Sequence, residues 1–232
     1  MPLYRLVKHL LPLLLLTACA TVPAPPIDYR PGAVVNTLSS AVSLSIHAAQ
    51  SGSMGGSGYL LFRRPDELHL VVLSPFGTTM MEAFALGDRI TLIYPSRSTA
   101  YVGRFDELPE KGGLQGWRLM RWVMDADPGD GGQPLNGTVE RTGTLGCSEK
   151  VTYENGLITA KESVRGDLVR YSKYAVVNGV PVAAQLDLRN DRDDRIRITL
   201  DGPEVNTPLD DAVFVPHLDG YTVMPLSALK GL

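Results

Sequence analysis

From Val42 onward the chain is a succession of short alternating segments, each closed by residues that force a turn, and this pattern limits the fold more than any other feature. Val42, Leu44 and Ile46 alternate with Ser43, Ser45 and His47, the period of a half-buried strand. The glycine and serine cluster of residues 51–58 reads as the end of that strand. Segments 59–62, 67–73, 78–86, 89–94 and 99–102 follow, separated by Arg64-Pro65-Asp66, Ser74-Pro75-Phe76-Gly77, Gly87-Asp88 and Pro95-Ser96-Arg97. The pattern resumes at 137–140, 149–153, 157–162, 168–177, 182–188 and 195–200. Asn155-Gly156 and Asn178-Gly179 signal two-residue hairpins, because both central positions of that turn take positive φ. The spacing predicts an antiparallel meander of about eleven strands. The stretch 33–40 is compatible with a helical turn or two.

One segment has helical periodicity. At roughly 100° per residue, Trp117, Leu119, Met120, Val123 and Met124 fall on one arc, with Arg118, Arg121 and Asp125 opposite. Residues 114–124 are therefore an amphipathic helix between two runs of strands, ended by a loop at 127–132. That many twisted strands curl, so the expected fold is mostly β: an incomplete antiparallel barrel around an apolar cavity, covered by short helices. The segment 78–86 carries Met80, Phe84 and Leu86 on one face and Met81, Ala83 and Ala85 on the other. A strand apolar on both faces is either covered twice or lines an apolar cavity.

The N-terminus sets the compartment. Arg5 and Lys8 precede an apolar run from Leu10 to Leu16, too short for the roughly 20 residues that span a bilayer. Residues 1–18 are read as a signal peptide. Leu16-Thr17-Ala18-Cys19 resembles the bacterial lipoprotein box, in which the cysteine is lipidated and becomes the new N-terminus. Residues 19–32, with Pro23, Pro25, Pro26 and Pro31, form an extended tether, and residues 33–232 the domain. Cutting before Cys19 removes two basic side chains and leaves 214 residues with 20 basic and 25 acidic ones. A body of net charge −5 has no electrostatic hold on an anionic surface, so attachment must come from the lipid. Ala20 follows the cysteine, where an Asp is the usual inner-membrane retention signal in enterobacterial lipoproteins; the outer membrane is expected.

Composition narrows the function. A formal net charge of −3 on 232 residues argues against a nucleic-acid binder, and a hydrophobic fraction of 44% argues against a disordered chain. With Cys19 lipidated, Cys147 is the one remaining thiol and reads as a small buried apolar residue. His47, His69 and His217 have no partner at metal spacing, and phosphate-binding loops and nucleophile elbows are absent, so neither an enzyme nor a metal or cofactor site is expected. Asn190, Asp191, Asp193 and Asp194 are interleaved with arginines and read as a solvated hairpin tip.

Two features remain. Trp117, Met120, Trp122 and Met124 gather soft and aromatic side chains on the helix, as core plug or as lid. Phe76 stands third in a Ser-Pro-Phe-Gly turn, where an aromatic either folds back on its sheet or protrudes.

Gly58-Tyr59-Leu60 through Leu73, then Ser74-Pro75-Phe76-Gly77-Thr78-Thr79, then 118–124 followed by Pro128-Gly129-Asp130, resemble the outer-membrane lipoprotein receptor LolB family in the same order. The ending Val205-Asn206-Thr207-Pro208-Leu209 with Phe214 is similar to the wider LolA/LolB group. The resemblance implies an open barrel with a helical lid, whose cavity takes lipoprotein acyl chains from a soluble periplasmic carrier (LolA-like) and releases them into the outer membrane. It implies a monomer and no covalent catalysis. It places Phe76 where the family has a membrane-probing Leu; the helical arc puts Trp117, Met120 and Met124, and the doubly apolar strand Met80 and Phe84, at the cavity or lid. The chain departs from the family in its glycine-rich stretch 51–58, in its longer tail after Leu200 and at Phe76. These departures leave open a second reading, a lipid-binding or sensing module with another cargo.

Overall fold

The computed structural model describes residues 27–29, 32–48, 52–108, 115–124, 136–143, 146–191 and 193–229. The signal peptide, Cys19, most of the tether and the loop at 127–132 lie outside them. Among the described residues thirteen strands form one sheet: β1 (Thr37–Ala48), β2 (Gly52–Arg63), β3 (Glu67–Leu73), β4 (Thr79–Leu86), β5 (Arg89–Tyr94), β6 (Thr99–Arg104), β7 (Gly137–Thr142), β8 (Ser148–Glu154), β9 (Leu157–Ser163), β10 (Leu168–Val177), β11 (Val180–Arg189), β12 (Arg195–Val205) and β13 (Thr222–Pro225). The order is β13-β6-β5-β4-β3-β2-β1-β12-β11-β10-β9-β8-β7, and β13 and β7 remain as edges. The sheet is open, as expected, with thirteen strands instead of eleven. Its last pairing, β13 to β6, is parallel.

The hairpins follow the turn chemistry. Asn155-Gly156 and Asn178-Gly179 have φ of 52° and 76°, and 52° and 79°, the left-handed pair that a two-residue turn requires. The glycine stretch corrects the sequence reading. Gly52 to Ser57 pair with Ala48 to Ser43 and continue β2 instead of closing β1, because glycine supplies both ladder groups as well as any residue. A Cβ at Gly58 would stand 1.8 Å from the Val71 carbonyl oxygen, so that position needs glycine for the approach of β3. The helical turn considered for 33–40 is also absent. The Asn206 side chain accepts from Asn36 N–H and donates to the Val34 carbonyl, and Arg64 donates to the Val35 carbonyl, which holds this segment extended until β1 begins.

One apolar cluster joins Leu60, Phe62, Leu68 and Leu70 of β2 and β3 to Val151, Tyr153 and Ile158 of β8 and β9. β3 and β8 stand seven strands apart in the sheet order, roughly 34 Å in a flat sheet. Their contact through one cluster means that the sheet curls, and α1 (Gln115–Met124) fills the fold with Met120, Trp122 and Val123.

Candidate functional site

At one end of the curled sheet the β3–β4 turn is fixed by its own polar groups. Gly77 N–H donates to the Ser74 carbonyl, Ser74 N–H to the Thr78 carbonyl, and the N–H groups of Phe76 and Thr78 both donate to Ser74 Oγ. Gly77 takes φ of 79°, which a side chain resists. None of these bonds involves the Phe76 ring, and Phe76 is 93% exposed. Of the two outcomes open from the sequence, the structure has the protruding one.

Met80 and Phe84 do not lie on the inner face. Ala83 and Ala85 of β4 join the interior clusters with Met81 beside them; alternation therefore turns Phe84 to the outer surface, with half-exposed Met80 also outside, next to a β-bulge. Phe84 stacks on His69 at 4.0 Å, and His69 Nε2 lies 3.2 Å from Glu82 Oε2. The cover for Phe84 is the tail after β12. Leu218 and Tyr221 pack on Phe84, Ile93 and Ala100. Arg63 pins the same tail, donating to Asp211 at 2.6 Å with its guanidinium 4.7 Å from the Phe214 ring centroid. The strand is indeed apolar on both faces because it is covered twice.

On the inner side, α1 presents Met120, Trp122 and Val123, all buried, with Leu119 and Met124 partly so. The side chains of Trp117, Arg118 and Arg121 lie outside the described residues. The sequence missed how the helix is held. Lys161 Nζ donates to the Trp122 carbonyl at 2.9 Å and Tyr171 Oη to the Val123 carbonyl at 2.7 Å, satisfying carbonyls in the last turn that have no partner within the helix. Trp122 Nε1 donates to Glu149 at 2.5 Å, and Glu149 also pairs with Lys161 at 3.1 Å and Arg141 at 2.8 Å. Lys161 is 0% and Glu149 2% exposed. The available signal was parity, since Glu149 shares its face of β8 with buried Val151 and Tyr153.

A second inner cluster lies under β4–β6, where Ala83, Ile90, Leu92 and Tyr94 enclose Leu226 and Leu229 of the C-terminal turn. Burial pushes the Tyr94 phenol up to about 12, so it is a hydrogen-bond donor at neutral pH. Cys147 is exposed, contrary to its reading as a buried residue. The acidic hairpin tip is solvated as expected: Asn190 bonds Asp194, and Arg195 lowers the Asp193 carboxyl below its ordinary value. No group of metal-binding side chains occurs among the described residues.

No protein-family model and no curated protein matches the chain. Solved structures do. A LolA-superfamily protein from Nitrosomonas europaea superposes with a TM-score of 0.50 at 12% identity, covering 82% of this chain and 93% of that one. The fold is LolA-like. An outer-membrane lipoprotein-sorting domain from Vibrio parahaemolyticus gives 0.50 at 11% identity over 77% and 89%. A DUF1329-family protein from Desulfovibrio piger gives 0.56 at 13% identity over 78% and 90%. At such identities the LolA-like fold alone is what is shared.

Proposed function

We propose that this chain is an outer-membrane lipoprotein, anchored through Cys19, that accepts lipoprotein acyl chains from a periplasmic carrier of the LolA kind and inserts them into the outer membrane without covalent catalysis. The observation that carries the reading is Phe76, a large apolar side chain held in water by a turn that does not need it. Full exposure forgoes roughly 1.5–3 kcal/mol of burial, and a bilayer supplies that burial. Ser43 of β1 aligns through Ser57 with Leu73 at the base of the turn. The tip therefore stands about 20 Å along the sheet from Thr37, plus the turn itself. Thr37 follows Cys19 by eighteen residue steps, a reach of up to about 60 Å, so an anchor at Cys19 leaves Phe76 free to touch the same membrane.

Purified with Cys19→Ala, the protein is expected to carry fatty-acyl ligands identifiable by mass spectrometry of its organic extract. An extract without acyl compounds, from protein that also fails to take up a fluorescent fatty acid, would end the reading. The same substitution is expected to move the protein from the washed membrane fraction to the soluble one, and retention in the membrane fraction would show another anchor. The second reading, a module with another cargo, is favoured by the tail beyond β12, which occupies part of the interior with Leu226 and Leu229. The identity of the co-purifying lipid separates the two.

A further inference from the structure

The apolar side of the sheet holds two fillers. α1 fills the larger compartment and is tied there by the buried Glu149 and Lys161. The smaller compartment, under β4–β6, is filled by the C-terminus, and its polar accounts do not balance. Tyr94 is 6% exposed, and its hydroxyl has no hydrogen-bond partner among the described residues. Buried hydroxyls in folded proteins are nearly always bonded, because an unbonded one has lost its water without replacement. Tyr94 belongs to an apolar cluster with Ala83, Leu92 and the C-terminal leucines, Met81 packs against it, and the Tyr101 ring centroid lies 5.9 Å away in a T-shaped arrangement. The Arg97 guanidinium lies 5.6 Å from the Tyr94 ring centroid, on an exposed residue, so a cation sits where the compartment meets solvent.

The filler is lightly attached. Leu226 and Leu229 are buried, but the Leu229 N–H bond goes to Leu226 within the turn itself. β13, which delivers them, is a four-residue parallel edge strand with every residue exposed. Gly103 makes the place for Leu226, since a Cβ there would lie 2.7 Å from that of Leu226. Two leucine side chains at the ends of one short turn present an apolar surface like that of a hydrocarbon chain segment, without the oxygen that Tyr94 is placed to meet.

We infer that this compartment is a second acyl-chain site: Leu226 and Leu229 occupy it in the resting protein, and an incoming chain displaces them and accepts a hydrogen bond from Tyr94 through its carbonyl or carboxylate oxygen. The inference rests on the acyl-carrying function proposed above and adds a ligand group, a plug and a route of exchange at the β13 edge. The oxygen belongs to a free fatty acid or to an acyl ester; the shared chemistry is an oxygen acceptor on a long alkyl chain.

The test uses the complete chain with Cys19→Ala and competition of palmitate, methyl palmitate and hexadecane against a dansyl-labelled fatty acid. Tyr94→Phe is expected to weaken palmitate and methyl palmitate about five- to tenfold, the loss of one hydrogen bond, and to leave hexadecane unchanged. Its melting temperature should stay level or rise, because the unbonded hydroxyl is gone, so folding does not confound the result. Arg97→Gln that weakens palmitate alone identifies a free carboxylate as the ligand; no effect on either identifies an ester. Leu226→Ala with Leu229→Ala is expected to tighten all three competitors tenfold or more. Equal binding by Tyr94→Phe and wild type, or weaker binding by the folded leucine variant, overturns the inference while the acyl-carrying function stands. Failure of every variant and of wild type to bind any competitor overturns both.

Discussion

Glu149→Met is expected to destabilise the protein by about 3–5 kcal/mol and, in a domain of this size, to lower its melting temperature by about 10 °C or more. The reason is the company the carboxylate keeps. Glu149 accepts from Trp122 Nε1 and pairs with Arg141 and Lys161, and the Lys161 ammonium is fully buried. Removing the carboxylate takes the Glu149 charge away from that buried ammonium and frees the Trp122 indole N–H, and both penalties fall on the helix end. Lys161→Met is expected to cost less, because Glu149 keeps Arg141 and Trp122. The double substitution should recover most of the loss, since an apolar pair replaces a buried ion pair with little net change. Urea unfolding of the two single variants and the double gives the coupling directly. Strict additivity of the two single effects would mean that the pair does not act as a unit.

The same network shows where sequence reading stops. The Ser74–Gly77 turn and both Asn-Gly hairpins were legible because turn chemistry is local: the residues that set φ are those of the turn. The helix was legible from its period, and so were Met120 and Val123 on its buried arc. Trp122 fell off that arc and is buried all the same, because Glu149 offers its N–H a partner. Such a pairing depends on the register of β8 against β9, where Val151 stands opposite Lys161, and register is not a property of either segment alone. The faces of β4 failed for a related reason. Both faces are apolar, and what assigns Phe84 to the outside is the tail, whose residues 206–221 have no periodicity that announces a cover. β13 is four residues long, too short for an alternation to be counted. The glycine stretch misled because glycine is read as a breaker, whereas in β2 it permits a close approach to the neighbouring strand.

Phe76→Glu is expected to abolish delivery of cargo to membranes while changing stability by no more than about 0.5 kcal/mol. The separation of these effects follows from the turn. Ser74, Gly77 and Thr78 supply its hydrogen bonds, and the ring at 93% exposure contributes almost nothing to the core. Acyl-chain binding should likewise persist, since Tyr94, the buried face of α1 and the inner face of the sheet are untouched. What changes is the encounter with lipid. A Phe entering the interface gains the burial it lacks in water, whereas a carboxylate there loses hydration with no partner to replace it. Phe76→Leu keeps an apolar tip and is expected to deliver at a rate near that of wild type. Following a labelled lipoprotein from a soluble carrier through this protein into liposomes separates uptake from release. Uptake without release by Phe76→Glu is the expected result. Delivery equal to wild type, or loss of folding, would place Phe76 outside membrane contact and leave the exposed ring without a function in transfer.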